Sequence, residues 1–70
     1  MQGKFAERVF IYRKRAGLSR ENLAQRIPCS PALVQQWEQD VKHPTDVMIL
    51  RCAQILDCTP NDLLGVDEEA

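Results

Sequence analysis

The sequence predicts an all-α fold of five short helices, on three observations. Apolar residues recur at the three- and four-residue intervals that line one face of a helix. Hydroxyl residues, twice followed by proline, and isolated glycines punctuate the chain where helices start and stop. No segment alternates apolar and polar residues, and no hairpin dipeptide occurs, so strands have no support.

The first helix is expected from Phe5 to Ala16, with Phe5, Val9, Tyr12 and Ala16 along one face and Gly17 as its C-terminal cap. Ser19 is the N-cap of a second helix, Arg20–Ile27, with Leu23, Ala24 and Ile27 facing inward. Glu21 lies in its first turn, where the helix dipole favours an anion. Pro28 ends it, because proline lacks an amide donor and disfavours helical geometry in the residue before it. Ser30-Pro31 opens a third helix, Pro31–Gln39, with serine as cap and proline where no amide bond is needed. It carries Val34, Trp37 and Glu38. Asp40 to Thr45 read as a loop, and Thr45 caps a fourth helix holding Ile49, Leu50, Ala53 and Leu56. Thr59-Pro60 repeats the device for a short fifth helix with Leu63 and Leu64, which Gly65 stops. The chain is then one domain, 1–70, with its core in 5–64 and a frayed acidic tail over 65–70.

A chain of 70 residues has no room for a second core or an elaborate catalytic cleft. Its longest apolar runs, Val9–Tyr12 and Val47–Leu50, are four residues each, against roughly 20 for a bilayer span. With no signal-peptide segment at Met1 to Phe5, a cytoplasmic protein is expected. The three cysteines, Cys29, Cys52 and Cys58, form no C-x-x-C, and the single histidine, His43, belongs to no metal-ligand spacing. They read as small hydrophobes in a reducing compartment, the alternative being a metal site or a disulfide framework. His43 is the only candidate catalytic base and sits in a loop beside Pro44, and no glycine-rich phosphate loop exists. No enzyme activity, catalytic residue, metal, cofactor or small-molecule substrate is expected.

Charge is divided unevenly. Residues 1–42 carry eight basic side chains against four acidic, and residues 43–70 carry one against six. A polyanion would meet a favourable field only on the N-terminal part, unless the charges are merely a solvated scatter. The second and third helices lie in that part, three residues apart, each with its own hydroxyl cap. Leu23, Ala24, Ile27, Val34 and Trp37 supply contacts between them, and the small Ala24 lets the axes approach. Such a pair can lay its second helix in a major groove while the first crosses the backbone, with the N-termini at Ser19 and Ser30 offering amides to phosphates. A plain helical bundle is the other reading of the same pattern.

Arg13-Lys-Arg-Ala-Gly-Leu-Ser19, then Leu23-Ala24, Ile27, Ser30, Val34, Trp37-Glu38, Pro44, Leu50, Ala53, Leu56 and Asp62-Leu63-Leu64 form a joint spacing. It resembles the Cro/CI-type (lambda-repressor-like, XRE-type) helix-turn-helix domain of phage repressors and small bacterial regulators. The resemblance runs from Phe5 to Leu64 without a gap. It implies a sequence-specific transcriptional regulator that binds double-stranded DNA with its third helix in the major groove, as a homodimer or in a larger regulatory complex. It also implies a salt bridge between Arg13 and Glu38, tying the first helix to the end of the third. By the same resemblance, Ser19 and Arg20 contact phosphate. Ser30, Pro31, Ala32, Leu33, Gln35 and Gln36 form the face toward base edges, and Lys42 and His43 lie in a loop that touches the backbone.

The sequence departs from the family pattern at informative places. Pro31, Ala32 and Leu33 stand where many relatives have glutamine, serine or arginine, and none of the three makes the bidentate hydrogen bonds that distinguish bases. Asp40 replaces a common glycine, and Pro28 the usual turn glycine. Gln35 and Gln36 remain as readers, with adenine the natural partner of their amides. The apolar start of the third helix and the net charge of −1 support an alternative, a helix-turn-helix domain serving mainly in protein–protein interaction. Phe10, Ile11, Val47 and Met48 add apolar bulk that either enlarges the core or forms a contact surface.

Overall fold

Hydroxyl side chains start four of the helices. In the computed structural model, which describes residues 4–65, the helices are α1 (Phe5–Arg15), α2 (Arg20–Arg26), α3 (Pro31–Glu38), α4 (Asp46–Ile55) and α5 (Pro60–Leu64). No strand occurs among the described residues. Ser19, Ser30, Thr45 and Thr59 each accept a hydrogen bond from the backbone N–H three residues on, at 3.0–3.2 Å. Thr59 and Asp62 complete a reciprocal capping box, the Asp62 carboxylate accepting from the Thr59 N–H at 3.0 Å.

The C-termini share a second device. After α1, Leu18 N–H reaches back to the Arg13 carbonyl and Gly17 N–H to the Lys14 carbonyl, with Gly17 left-handed at φ +74°. After α3, Val41 and Asp40 repeat this pair of bonds to Gln36 and Trp37, with Asp40 at φ +61°. Cys58 closes α4 onto Ala53, with Asp57 left-handed, and Cys29 closes α2 onto Ala24 past Pro28, which has no N–H to offer. Those after α1, α3 and α4 are Schellman-type closures, and all four satisfy otherwise orphaned carbonyls.

The core is Phe5, Val9, Leu23, Ala24, Ile27, Val34, Trp37, Ile49, Cys52, Ala53, Leu56 and Leu63. Helix α3 packs against α2 and α1, and α5 against α1 and α4. Trp37 is the hub, buried to 1% exposure, with the Phe5 ring edge-on at 5.6 Å. Truncating a tryptophan so buried costs about 3–5 kcal/mol, a large share of a small domain's stability. Two arginines fasten the periphery. Arg8 donates to the Asp62 carbonyl at 2.7 Å, and Arg51 to the Ile27 carbonyl at 2.9 Å.

Several expectations are corrected. The buried stripe of α1 is Phe5, Val9 and Arg13, whereas Tyr12 is half-buried and Ala16 exposed. Leu50 is 53% exposed, and Cys52 takes the core position on α4. Leu63 is buried, but Leu64 is mostly at the surface. Gly65 belongs to the packed body rather than to a tail. It is buried at φ +75°, and a Cβ there would come within 2.7 Å of the Lys4 side chain. The rest of the expected tail, residues 66–70, lies outside the described residues. Phe10, Ile11 and Val47 are exposed rather than part of an enlarged core, while Met48 packs against it. The three cysteines are free thiols, Cys52 buried and the other two half-buried.

Candidate nucleic-acid interface

Helix α3 divides into two faces. Val34 and Trp37 point into the core, leaving Pro31, Ala32 and Gln35 exposed and Gln36 half-exposed on the opposite stripe. Ser30, exposed, precedes them, its hydroxyl engaged by the Leu33 N–H at 3.2 Å. Leu33 lies partly against the core, so only part of its side chain can face a ligand. The Ser30 cap and Pro31 fix where this stripe begins.

The following loop is tied to the same helix. Val41 and Lys42 N–H groups both reach the Gln36 carbonyl, at 2.8 and 3.3 Å. Lys42 and His43 are exposed just beyond. A cation at the C-terminal end of a helix also suits the helix dipole.

Ser19 and Arg20 begin α2, Ser19 exposed and capping Asn22. Arg20 is not a free surface charge. Its Nε donates to Glu38 Oε1 at 2.9 Å. Arg13 lies on the same carboxylate, Nε donating to Oε2 at 2.6 Å and Nη2 to Oε1 at 3.2 Å. Its Nη1 donates to the Leu18 carbonyl at 2.9 Å. One buried acid thus links α1, the first residue of α2 and the last residue of α3.

Beside this cluster runs an open groove of about 640 Å³, lined by Phe10, Arg13, Lys14, Leu18, Ser19 and Arg20 among others. Phe10 lies within cation–π distance of Arg13 and Lys14, 5.4 and 5.8 Å from the ring centre. Lys14, the middle of the Arg13-Lys14-Arg15 run, lines this groove and is signalled in the sequence only by that run. Gln39 is exposed one turn beyond Gln35 and Gln36 on the outward stripe of α3. Among the described residues, no three His, Cys, Asp or Glu side chains are grouped to hold a metal ion. No described helix is long and apolar enough to cross a membrane.

A capped α2, a tight turn and an α3 with one outward stripe, held against α1, with α5 joining α1 to α4, define a lambda-repressor-like helix-turn-helix domain. A family model described as a helix-turn-helix domain matches residues 4–69, and the chain belongs to that family. Solved structures agree. The restriction-modification controller protein C.AhdI from Aeromonas hydrophila is 33% identical, with a TM-score of 0.80 over 86% of this chain and 91% of its own. The P22 c2 repressor, solved with a synthetic operator, is 27% identical, with a TM-score of 0.82 over 86% and 91%. SinR, a master regulator for biofilm formation solved with DNA, is 23% identical, with a TM-score of 0.81 over 86% and 97%, and supports the fold alone. Comparison with curated protein sequences gives no significant match.

Proposed function

We propose that this protein is a transcriptional regulator that binds double-stranded DNA, laying α3 in the major groove. The observation that carries this reading is the outward stripe of α3, bounded by Ser30 and by a loop that presents Lys42 and His43. Ser19, Arg20, Lys42 and His43 contact the phosphate backbone, and Gln35 and Gln36 reach base edges. Ser30, Pro31, Ala32 and Leu33 supply close approach and apolar contact, such as with a thymine methyl. Similarity to C.AhdI and to the operator-bound P22 c2 repressor supports the same conclusion. The role is non-enzymatic and is carried out in the cytoplasm, where bacterial DNA lies.

The active species is a homodimer. The domain's longest dimension is 34 Å, so two copies fit side by side on half-sites that stand about 34 Å apart along one face of the duplex. One copy therefore reads one half-site. A gel-shift titration of the wild type on a random duplex pool at two salt concentrations tests the reading. Binding should weaken steeply with added salt, because each neutralised phosphate releases counterions. Failure to bind any duplex at low salt would overturn it and favour the protein-interaction role.

A further inference from the structure

Glu38 holds two arginines that are placed for different ends. Its side chain is 4% exposed, Arg13 7% and Arg20 41%. Arg13 is committed to the fold, its Nε and Nη2 on Glu38 and its Nη1 on the Leu18 carbonyl. Arg20 gives Glu38 only its Nε, at 2.9 Å, and its side chain lines the open groove beside Lys14 and Ser19. A guanidinium has two donor edges. A carboxylate on Nε leaves the terminal Nη1/Nη2 edge as a planar fork, the geometry that suits a phosphate.

We infer that Glu38 is the positioning residue for Arg20, fixing the Nε edge so that the terminal edge stands ready for a backbone phosphate. This rests on the reading of duplex DNA as the partner. A long side chain loses rotamer freedom when it is immobilised on a ligand, and here the fold has already immobilised it. The arrangement also couples the phosphate contact to the setting of α3, since Glu38 is the last residue of that helix. An arginine so held reports the angle at which the reading helix sits.

Simple electrostatics and positioning predict opposite results. A buried carboxylate near a phosphate is repulsive, so Glu38→Gln should strengthen DNA binding if charge alone matters. Under positioning, Glu38→Gln weakens binding to every duplex roughly tenfold, and the salt-dependence slope falls by about one unit. Arg20→Lys keeps the charge and leaves the buried Arg13–Glu38 pair intact, which guards against a Glu38 variant that fails to fold. A single ammonium drawn to Glu38 has no second edge for phosphate, so this variant should show the same loss of affinity and slope. Glu38→Gln binding as tightly as wild type or tighter, or Arg20→Lys retaining wild-type affinity and slope, would overturn the inference while the DNA reading stands. A wild type that binds no duplex overturns both.

Discussion

Cys52 shows how one buried side chain sets a pH limit. Burial, reinforced by the neighbouring Cys29 and Cys58 thiols, pushes its pKa from 9.0 up to about 12. The unfolded chain therefore ionises this thiol first. Its contribution to stability is complete below about pH 9 and is lost as the pH climbs toward 12, at a limiting slope of about 1.4 kcal/mol per pH unit. Urea unfolding at pH 8 to 11 should show wild type declining more steeply on the alkaline side than Cys52→Ala, even if the variant starts less stable. Parallel curves would mean that Cys52 does not set the limit. The same residue shows where the sequence was hard to read. Ile49, Cys52, Ala53 and Leu56 follow strict helical spacing, and Leu50 lies about 100° round the helix from Ile49. Residue type favours Leu50 for the core and a half-buried place for Cys52, but helical spacing puts Cys52 inside and Leu50 outside. Arg13 and Glu38, paired by family resemblance, are in contact in the structure. Arg20 as a second partner of Glu38 left no trace in spacing, because the contact depends on how α2 meets α3.

The elements were legible at their starts more than at their ends. Ser19, Ser30, Thr45 and Thr59 carry both the capping oxygen and the right successors, so the N-termini fell where a local rule puts them. Gly17, Pro28 and Gly65 advertise the C-termini of α1, α2 and α5 by residue type. The ends of α3 and α4 rest on Asp40 and Asp57, at φ +61° and +58°, where aspartate tolerates a conformation that glycine adopts freely. Nothing short of the Schellman bonds distinguishes these aspartates from solvated loop charges. Asp40→Gly should stabilise the domain by about 0.5–1 kcal/mol, the relief of left-handed strain exceeding the extra chain entropy of glycine. Asp40→Ala, which keeps a Cβ and loses the polar side chain, should destabilise it. Urea midpoints with an unchanged m-value would report both, and an alanine variant as stable as the glycine one would remove strain from the account.

At the scale of the whole molecule, the division of charge matters more than its sum. The basic residues fall mainly in the stretch that builds α1 to α3 and the loop after them, and the acidic ones in α4, α5 and beyond. The field that favours a duplex therefore comes from the N-terminal part of a chain whose net charge is only −1. In that part, positioning and reading are expected to be separable. Lys42 stands in the loop anchored to the Gln36 carbonyl, and Gln36 itself is half-exposed on the outward stripe of α3. Lys42→Ala should weaken binding to all duplexes alike and lower the salt slope by about one unit. Gln36→Ala should cost about 1–3 kcal/mol on a site selected from a random pool and little on the pool itself, leaving the slope unchanged. Because Pro31 and Ala32 offer no polar group to base edges, the selected site should exceed random DNA by a modest ratio, raised when two half-sites are joined in one palindrome. If Gln36→Ala discriminates as well as wild type, base reading belongs to Gln35 or Gln39 instead, and the register of α3 in the groove must be turned accordingly.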